Sequence, residues 1–214
     1  MVVLILGWAG AAFAQEPAKV PAKTAWEMRP QQFFREEWKD PGDKAKPLTQ
    51  EFVANPNLEL KLYGTTSQLI EINHENGPVH SWNGMCSTPC AVAFKHKTSA
   101  VDLSGLGRIQ WMIKVSGMHQ VRPIVKLGDG TWLVGDRPEG STVDWHLSDF
   151  STADLRWLKL DIDRVVTLGT WISNPDLSKV DEVGYVDLIP GSGHGIGGFV
   201  NIASFEVFGR PVTR

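Results

Sequence analysis

Trp82, Trp132 and Trp145 stand in or beside polar segments, with His80, Asn83, Asp136, Arg137, Asp144 and His146 as neighbours. A planar indole in such a setting can lay its apolar face on a sugar ring and keep its N–H for a hydroxyl, losing little rotamer entropy. The same residue type is also a packing element, because tryptophan is highly buried on average. Two extended runs add charge. Residues 108–115 set Gln110 and Lys114 opposite Ile109, Trp111, Ile113 and Val115, and residues 120–127 set Arg122 and Lys126 opposite Val121, Val125 and Leu127. If both runs turn their polar sides to one concave sheet, they make a mildly basic groove for sugar hydroxyls or uronate carboxylates, which arginine grips bidentately. The plain alternative is a solvated sheet face with snorkelling side chains. On this reading the ligand contacts are Trp82, His119, Arg122, Lys126, Trp132, Asp136, Arg137 and Trp145.

Catalysis has weaker sequence support. Glycoside cleavage needs two carboxyl groups facing each other across a groove. Asp129, Asp136, Glu139, Asp144 and Asp149 cluster along the chain, but turns favour aspartate for backbone reasons alone. His74, His80, His119 and His146 fall in separate segments without H-x-H or H-E-x-x-H spacing, so they define no metal set. No G-x-S-x-G elbow is present. The stretch 191–198 is glycine-rich but lacks the P-loop lysine and reads as a connection. The leading expectation is therefore non-catalytic binding of a polysaccharide or oligosaccharide, with no catalytic residue assigned. A glycosidase or polysaccharide lyase using Asp136, His119 or His146 as acid/base groups is one alternative. A cell-envelope domain docking a protein partner on a sheet surface is another.

Composition sets the wider frame. The chain has 214 residues and a net charge of −3, with a pI near 6.1, so no basic field favours nucleic acid. Residues 1–14 form an apolar run ending in Ala12-Phe13-Ala14, the pattern of a cleaved secretion signal, although no Lys or Arg precedes the run. That run is too short for a membrane span. Residues 15–25 read as a disordered spacer and 26–214 as one folded domain, in a secreted or periplasmic setting. In such an oxidising compartment Cys86 and Cys90 pair by default, closing a small loop of modest stabilising effect.

The elements that must hold these residues are strands. Leu58, Leu60 and Leu62 alternate with polar residues before Gly64, and the same period of two runs through 108–115 and 120–127. Gly128-Asp129-Gly130 marks a tight turn into residues 131–134. Further strands are expected at 70–72, 91–95, 142–147, 156–162, 182–188 and 199–208. Residues 29–38 read either as a short helix or as chain crossing a sandwich edge. Short strands, frequent turn residues (21 Gly and 13 Pro) and almost no helical period indicate a β-sandwich or barrel.

Residues 102–111 (DLSGLGRIQW) resemble the strand entry of galactose-binding-like jelly rolls, as do residues 176–185, and Phe205-Glu206-Val207-Phe208-Gly209 is similar to their closing strand. The resemblance covers about residues 92–210. It implies an all-β jelly-roll sandwich of two antiparallel sheets, shared by many carbohydrate-binding modules. Fold alone assigns no function. It also implies no cofactor beyond a possible structural calcium, for which Asp102 and Glu206 are the conceivable ligands.

Overall fold

The computed structural model describes residues 30–75, 77–189 and 198–214. The expected secretion signal and spacer, and nearly all of the glycine-rich stretch 191–198, lie outside the described residues. Strands β1 (Gln32–Glu37), β2 (Lys46–Pro47), β3 (Leu58–Tyr63) and β4 (Glu71–Asn73) open the fold. They are followed by β5 (His80–Trp82), β6 (Cys90–His96), β7 (Ser99–Asp102) and β8 (Arg108–Gly117). Next come β9 (Val121–Leu127), β10 (Trp132–Gly135), β11 (His146–Ser151) and β12 (Trp157–Asp161). The last four are β13 (Val166–Ile172), β14 (Val180–Asp187), β15 (Gly198–Phe208) and β16 (Arg210–Thr213). No helix among the described residues is long and apolar enough to cross a membrane.

Two antiparallel sheets stack as a jelly-roll sandwich. The first runs β11-β8-β15-β5-β4-β2, with β1 also on β15; the second runs β13-β12-β10-β9-β14-β6-β3, with β7 and β16 attached beside β14. The chain changes sheet between β8 and β9, again on either side of β11, and on either side of β15, so strands close in sequence face each other across the core.

Period-two alternation builds that core. Ile109, Trp111, Ile113 and Val115 point inward from β8 with no measurable exposure, and Val121, Val125 and Leu127 point inward from β9. Trp111 packs against Phe150 and Phe205, with ring centroids 4.7 and 5.9 Å apart. Each large apolar side chain buried in this way contributes roughly 1.5–3 kcal/mol. Residues 32–37, which read equally as helix or crossing chain, form a strand on β15. Glu36 hid the alternation: it is fully buried beside Phe34, and its carboxylate accepts the Ala54 and Asn55 backbone N–H groups at 2.6 and 3.0 Å.

A second apolar cluster lies on the outward face of the second sheet. It joins Ala91, Ala93, Ile124, Trp132, Val134, Leu160 and Val186, the outward residues of β6, β9, β10, β12 and β14. Val165, in the turn between β12 and β13, completes it with no exposure. That turn reaches the end of β3, where a Cβ on Gly64 would meet Val165 at 3.1 Å. Val165 holds φ at +53°, a left-handed conformation that costs a β-branched residue energy, and its burial offsets that cost.

Candidate functional site

The groove expected from β8 and β9 together does not form. The two strands belong to different sheets, so Gln110 and Lys114 face one side of the sandwich while Arg122 and Lys126 face the other. Equal alternation in consecutive strands shows that each has a polar side, but not that the two sides are shared.

Sheet register assembles a different groove, on the outward face of the first sheet. Glu71 on β4 lies opposite Trp82 on β5, Trp82 lies opposite Asn201 on β15, and Asn201 lies opposite Lys114 on β8. These four side chains form one row across four strands. Asn73 and His80, themselves cross-strand partners, stand beside it. Together with Ala45, Glu75 and Phe199 they line a cavity of about 460 Å³.

Trp145 packs on His80 beside this cavity. It precedes β11, yet its indole lies 5.2 Å from the His80 ring and packs so closely on Gly77 that a Cβ there would sit 2.5 Å from Nε1. Asp144 comes with it and lies 3.8 Å from Lys114.

The groove carries a net negative charge, three acids against the single cation Lys114. Glu71 and Glu75 are acidic, and Lys114 faces Asp144. His80 is 1% exposed, and burial depresses its pKa, leaving the imidazole neutral. Its Nδ1–H donates to the Pro78 carbonyl at 2.7 Å, which leaves Nε2 as an acceptor. Asn201 is 9% exposed, and its buried Oδ1 has no hydrogen-bond partner among the described residues. An unmet buried acceptor costs about 1–3 kcal/mol, and a ligand hydroxyl in the cavity can relieve that cost.

Of the expected contacts, Trp82 lines this cavity and Trp145 packs on His80 beside it, and the structure distributes the remaining ones elsewhere. Trp132, expected beside a turn as a stacking contact, lies on β10 at 6% exposure within the second apolar cluster. Lys126 donates to Glu182 at 2.9 Å and sits 5.8 Å over the Trp132 ring, while Tyr63 donates to the same carboxylate at 2.7 Å. Arg122 shares that outward face, and its buried Nε has no partner among the described residues. His119 is 3% exposed and hydrogen-bonded to Asp187, a contact that raises its pKa against the opposing effect of burial. Asp136 is held by Arg156, and Arg137 beside it is exposed.

The acid/base groups expected of an enzyme do not converge. His119 pairs with Asp187 and Asp136 with Arg156, while His146 Nε2 meets Glu139 at 3.1 Å and Ser148 at 3.0 Å. Ser148 and Glu139 share one imidazole nitrogen, and the serine hydroxyl donates to the glutamate at 2.7 Å. The three form a closed hydrogen-bond triangle. A nucleophile–base–acid relay would need the two partners on opposite ring nitrogens.

The calcium assignment is also corrected. Asp102 accepts from Ser104 and Arg210, and Glu206 accepts from Gln32 and lies 3.2 Å from Arg35, so each carboxylate is committed to protein donors. Among the described residues no three His, Cys, Asp or Glu side chains gather as a metal site. Cys86 and Cys90 are buried free thiols with their sulfurs 2.7 Å apart, where a disulfide was expected. The neighbouring thiol and burial raise the pKa of Cys90.

Glu71, Asn73, His80, Phe199 and Asn201 escaped the sequence reading as ligand contacts. One signal was available: Asn201 interrupts an otherwise apolar run.

No family model and no curated protein matches the chain. Among solved structures it is similar to carbohydrate-binding modules and to parts of longer chains, an agarase among them. It is similar to the family 11 carbohydrate-binding module of the cellulosomal cellulase Lic26A-Cel5E of Clostridium thermocellum, at 15% identity and a TM-score of 0.40. That match covers 82% of this chain and 95% of the other. A variant of CBM29-2 complexed with mannohexaose matches at 12% identity and a TM-score of 0.43, over 82% of this chain and 92% of that one. PfGH50B matches at 11% identity and a TM-score of 0.43 over 73% of this chain, which spans only 24% of PfGH50B.

Proposed function

We propose that this chain is a non-catalytic carbohydrate-binding domain of an exported protein, with its glycan lying in the groove across β4, β5, β15 and β8. The observation that carries the reading is the row Glu71, Trp82, Asn201 and Lys114 in cross-strand register. It combines one aromatic surface with closely spaced polar groups, one of them a desolvated amide oxygen without a partner among the described residues. Pyranose rings offer the matching chemistry, an apolar face for the indole and hydroxyls around the rim. The net negative charge of the groove favours a neutral glycan over a uronate.

Export rests on the apolar run and cleavage pattern of residues 1–14, and in an oxidising compartment the two neighbouring thiols would join as a Cys86–Cys90 bond. Alkylation followed by intact-mass measurement on protein recovered from the medium or periplasm tests both points.

Affinity electrophoresis and calorimetry over a panel of neutral and acidic polysaccharides test the main reading. We expect retardation by at least one neutral polysaccharide, lost in Trp82→Ala. Absence of binding across the panel, or binding unchanged in Trp82→Ala, defeats it.

A further inference from the structure

A larger cavity, about 780 Å³, opens at one end of the sandwich, away from the sheet groove. Three connections build it: β7–β8 (residues 103–107), β11–β12 (152–156) and β13–β14 (173–179). Its floor is apolar, from Leu103, Leu155 and Leu177. At its rim Trp171 is 50% exposed, unlike the buried Trp111 and Trp157.

The connections are laced together. Leu103 donates its backbone N–H to Leu177 at 2.9 Å, Thr152 donates its own to Gly107 at 2.9 Å, and the Thr152 hydroxyl reaches the Leu103 and Gly107 carbonyls at 2.6 and 2.9 Å. Gly107 permits this closeness, since a Cβ there would collide with the Leu103 carbonyl. The cavity is thus held in shape by main-chain bonds, and a ligand meets little ordering cost.

Among the described residues Arg156 is the single charged one lining it. Its guanidinium lies 4.7 Å over the Trp171 ring, and its Nε donates to Asp136 at 2.8 Å. Asp136 also accepts the Arg156 backbone N–H at 3.0 Å. Burial works against the Asp136 charge, but these bonds outweigh it and keep the carboxyl below its ordinary range. Pinned in this way over one face of a half-open indole, the guanidinium still has donors on both Nη atoms. Ser173 and Asn174 add polar groups to the lining.

The geometry points to a second binding site in this cavity for an acidic sugar ring, with the ring on Trp171 and its carboxylate received by Arg156. Asp136 is a positioning residue here: it fixes the fork and does not touch the ligand. The sheet groove carries Glu71 and Glu75 and disfavours the same ligand, so the two sites sort glycans by charge. This site stands independently of the reading of the sheet groove.

Calorimetric titration with trigalacturonate and with its uncharged methyl ester tests the assignment on the folded protein. Trp171 and Arg156 are well exposed, so variants at these positions keep the core, and thermal melting verifies it. We expect the acid to bind about 10-fold tighter than the ester, Arg156→Gln to erase that preference, and Trp171→Ala to weaken both by about 10-fold or more. Trp82→Ala should leave this binding unchanged. The assignment is overturned if the acid does not bind, if acid and ester bind equally, or if Trp82→Ala abolishes acid binding while Trp171→Ala does not. If neutral glycans fail to bind but the acid binds through Trp171, the sheet-groove reading alone falls.

Discussion

The two outward faces of the sandwich are made from strands with the same period-two pattern, yet they end in opposite states. On the first sheet the outward positions are Glu71, Asn73, His80, Trp82, Lys114 and Asn201, and they line an open groove. On the second they are Ala91, Ala93, Ile124, Trp132, Val134 and Val186, and the turn carrying Val165 lies down on them. Small residues on β6 leave room for that turn, and apolar ones on β9, β10 and β14 reward its approach with buried surface. Each face contains a prominent tryptophan. Its surroundings decide whether it stacks on a ligand or fills a core.

The largest test of this contrast is Trp132→Ala. Removing the centre of the second cluster should destabilise the protein by about 3–5 kcal/mol in denaturant unfolding, as for a large core aromatic. Glycan affinity of the remaining folded protein should be unchanged. An unaffected midpoint would mean that this face is not a core.

Trp82→Ala should show the mirror image. Loss of a central aromatic contact is expected to weaken neutral-glycan binding by about 30-fold, equivalent to about 2 kcal/mol, with a much smaller change in melting temperature. A collapse in stability comparable to that of Trp132→Ala would erase the distinction between the faces.

Two buried histidines respond to pH in opposite senses. His80 has a folded pKa below its ordinary value of 6.5, so its contribution to stability is complete above pH 6.5 and declines as pH falls below it. His119 has a folded pKa above 6.5, so its contribution is complete below pH 6.5 and declines as pH rises through the raised value. Unfolding curves across this range should lose the acid-side decline in His80→Gln and the alkaline-side decline in His119→Gln. Exchange of the two effects would contradict the burial and pairing described. At the small end, Arg137→Ala should move stability by no more than about 0.5 kcal/mol and leave glycan affinity unchanged, since its side chain is exposed.

How much of this was legible in the sequence depended on whether outward and inward residues differed in polarity. Residues 108–115 read correctly because every inward position is apolar and most outward positions are polar. Strand β1 was ambiguous because Glu36 turns inward, satisfied by two backbone donors distant in sequence. Strand β13 was invisible for the opposite reason: Val166, Leu168 and Trp171 are exposed, and Gly169 at φ +70° interrupts the run. The strand expected at 142–147 begins only at His146, because Thr142 and Asp144 instead fasten a loop to β8. Trp82 and Trp145 could be picked out by type. The row of Trp82 with Glu71 and Asn201 could not, since only sheet register makes these residues neighbours, and for Asn201 that register depends on strand pairing across more than one hundred positions of chain.

The row from Glu71 to Lys114 crosses three gaps between neighbouring strands, roughly 14 Å at ordinary sheet spacing. That length makes the groove a ruler for polymers, because a lone monosaccharide would cover only part of it. Affinity should climb with each added sugar unit until the oligomer spans the row, then level off. The plateau would report how many units this sheet can measure.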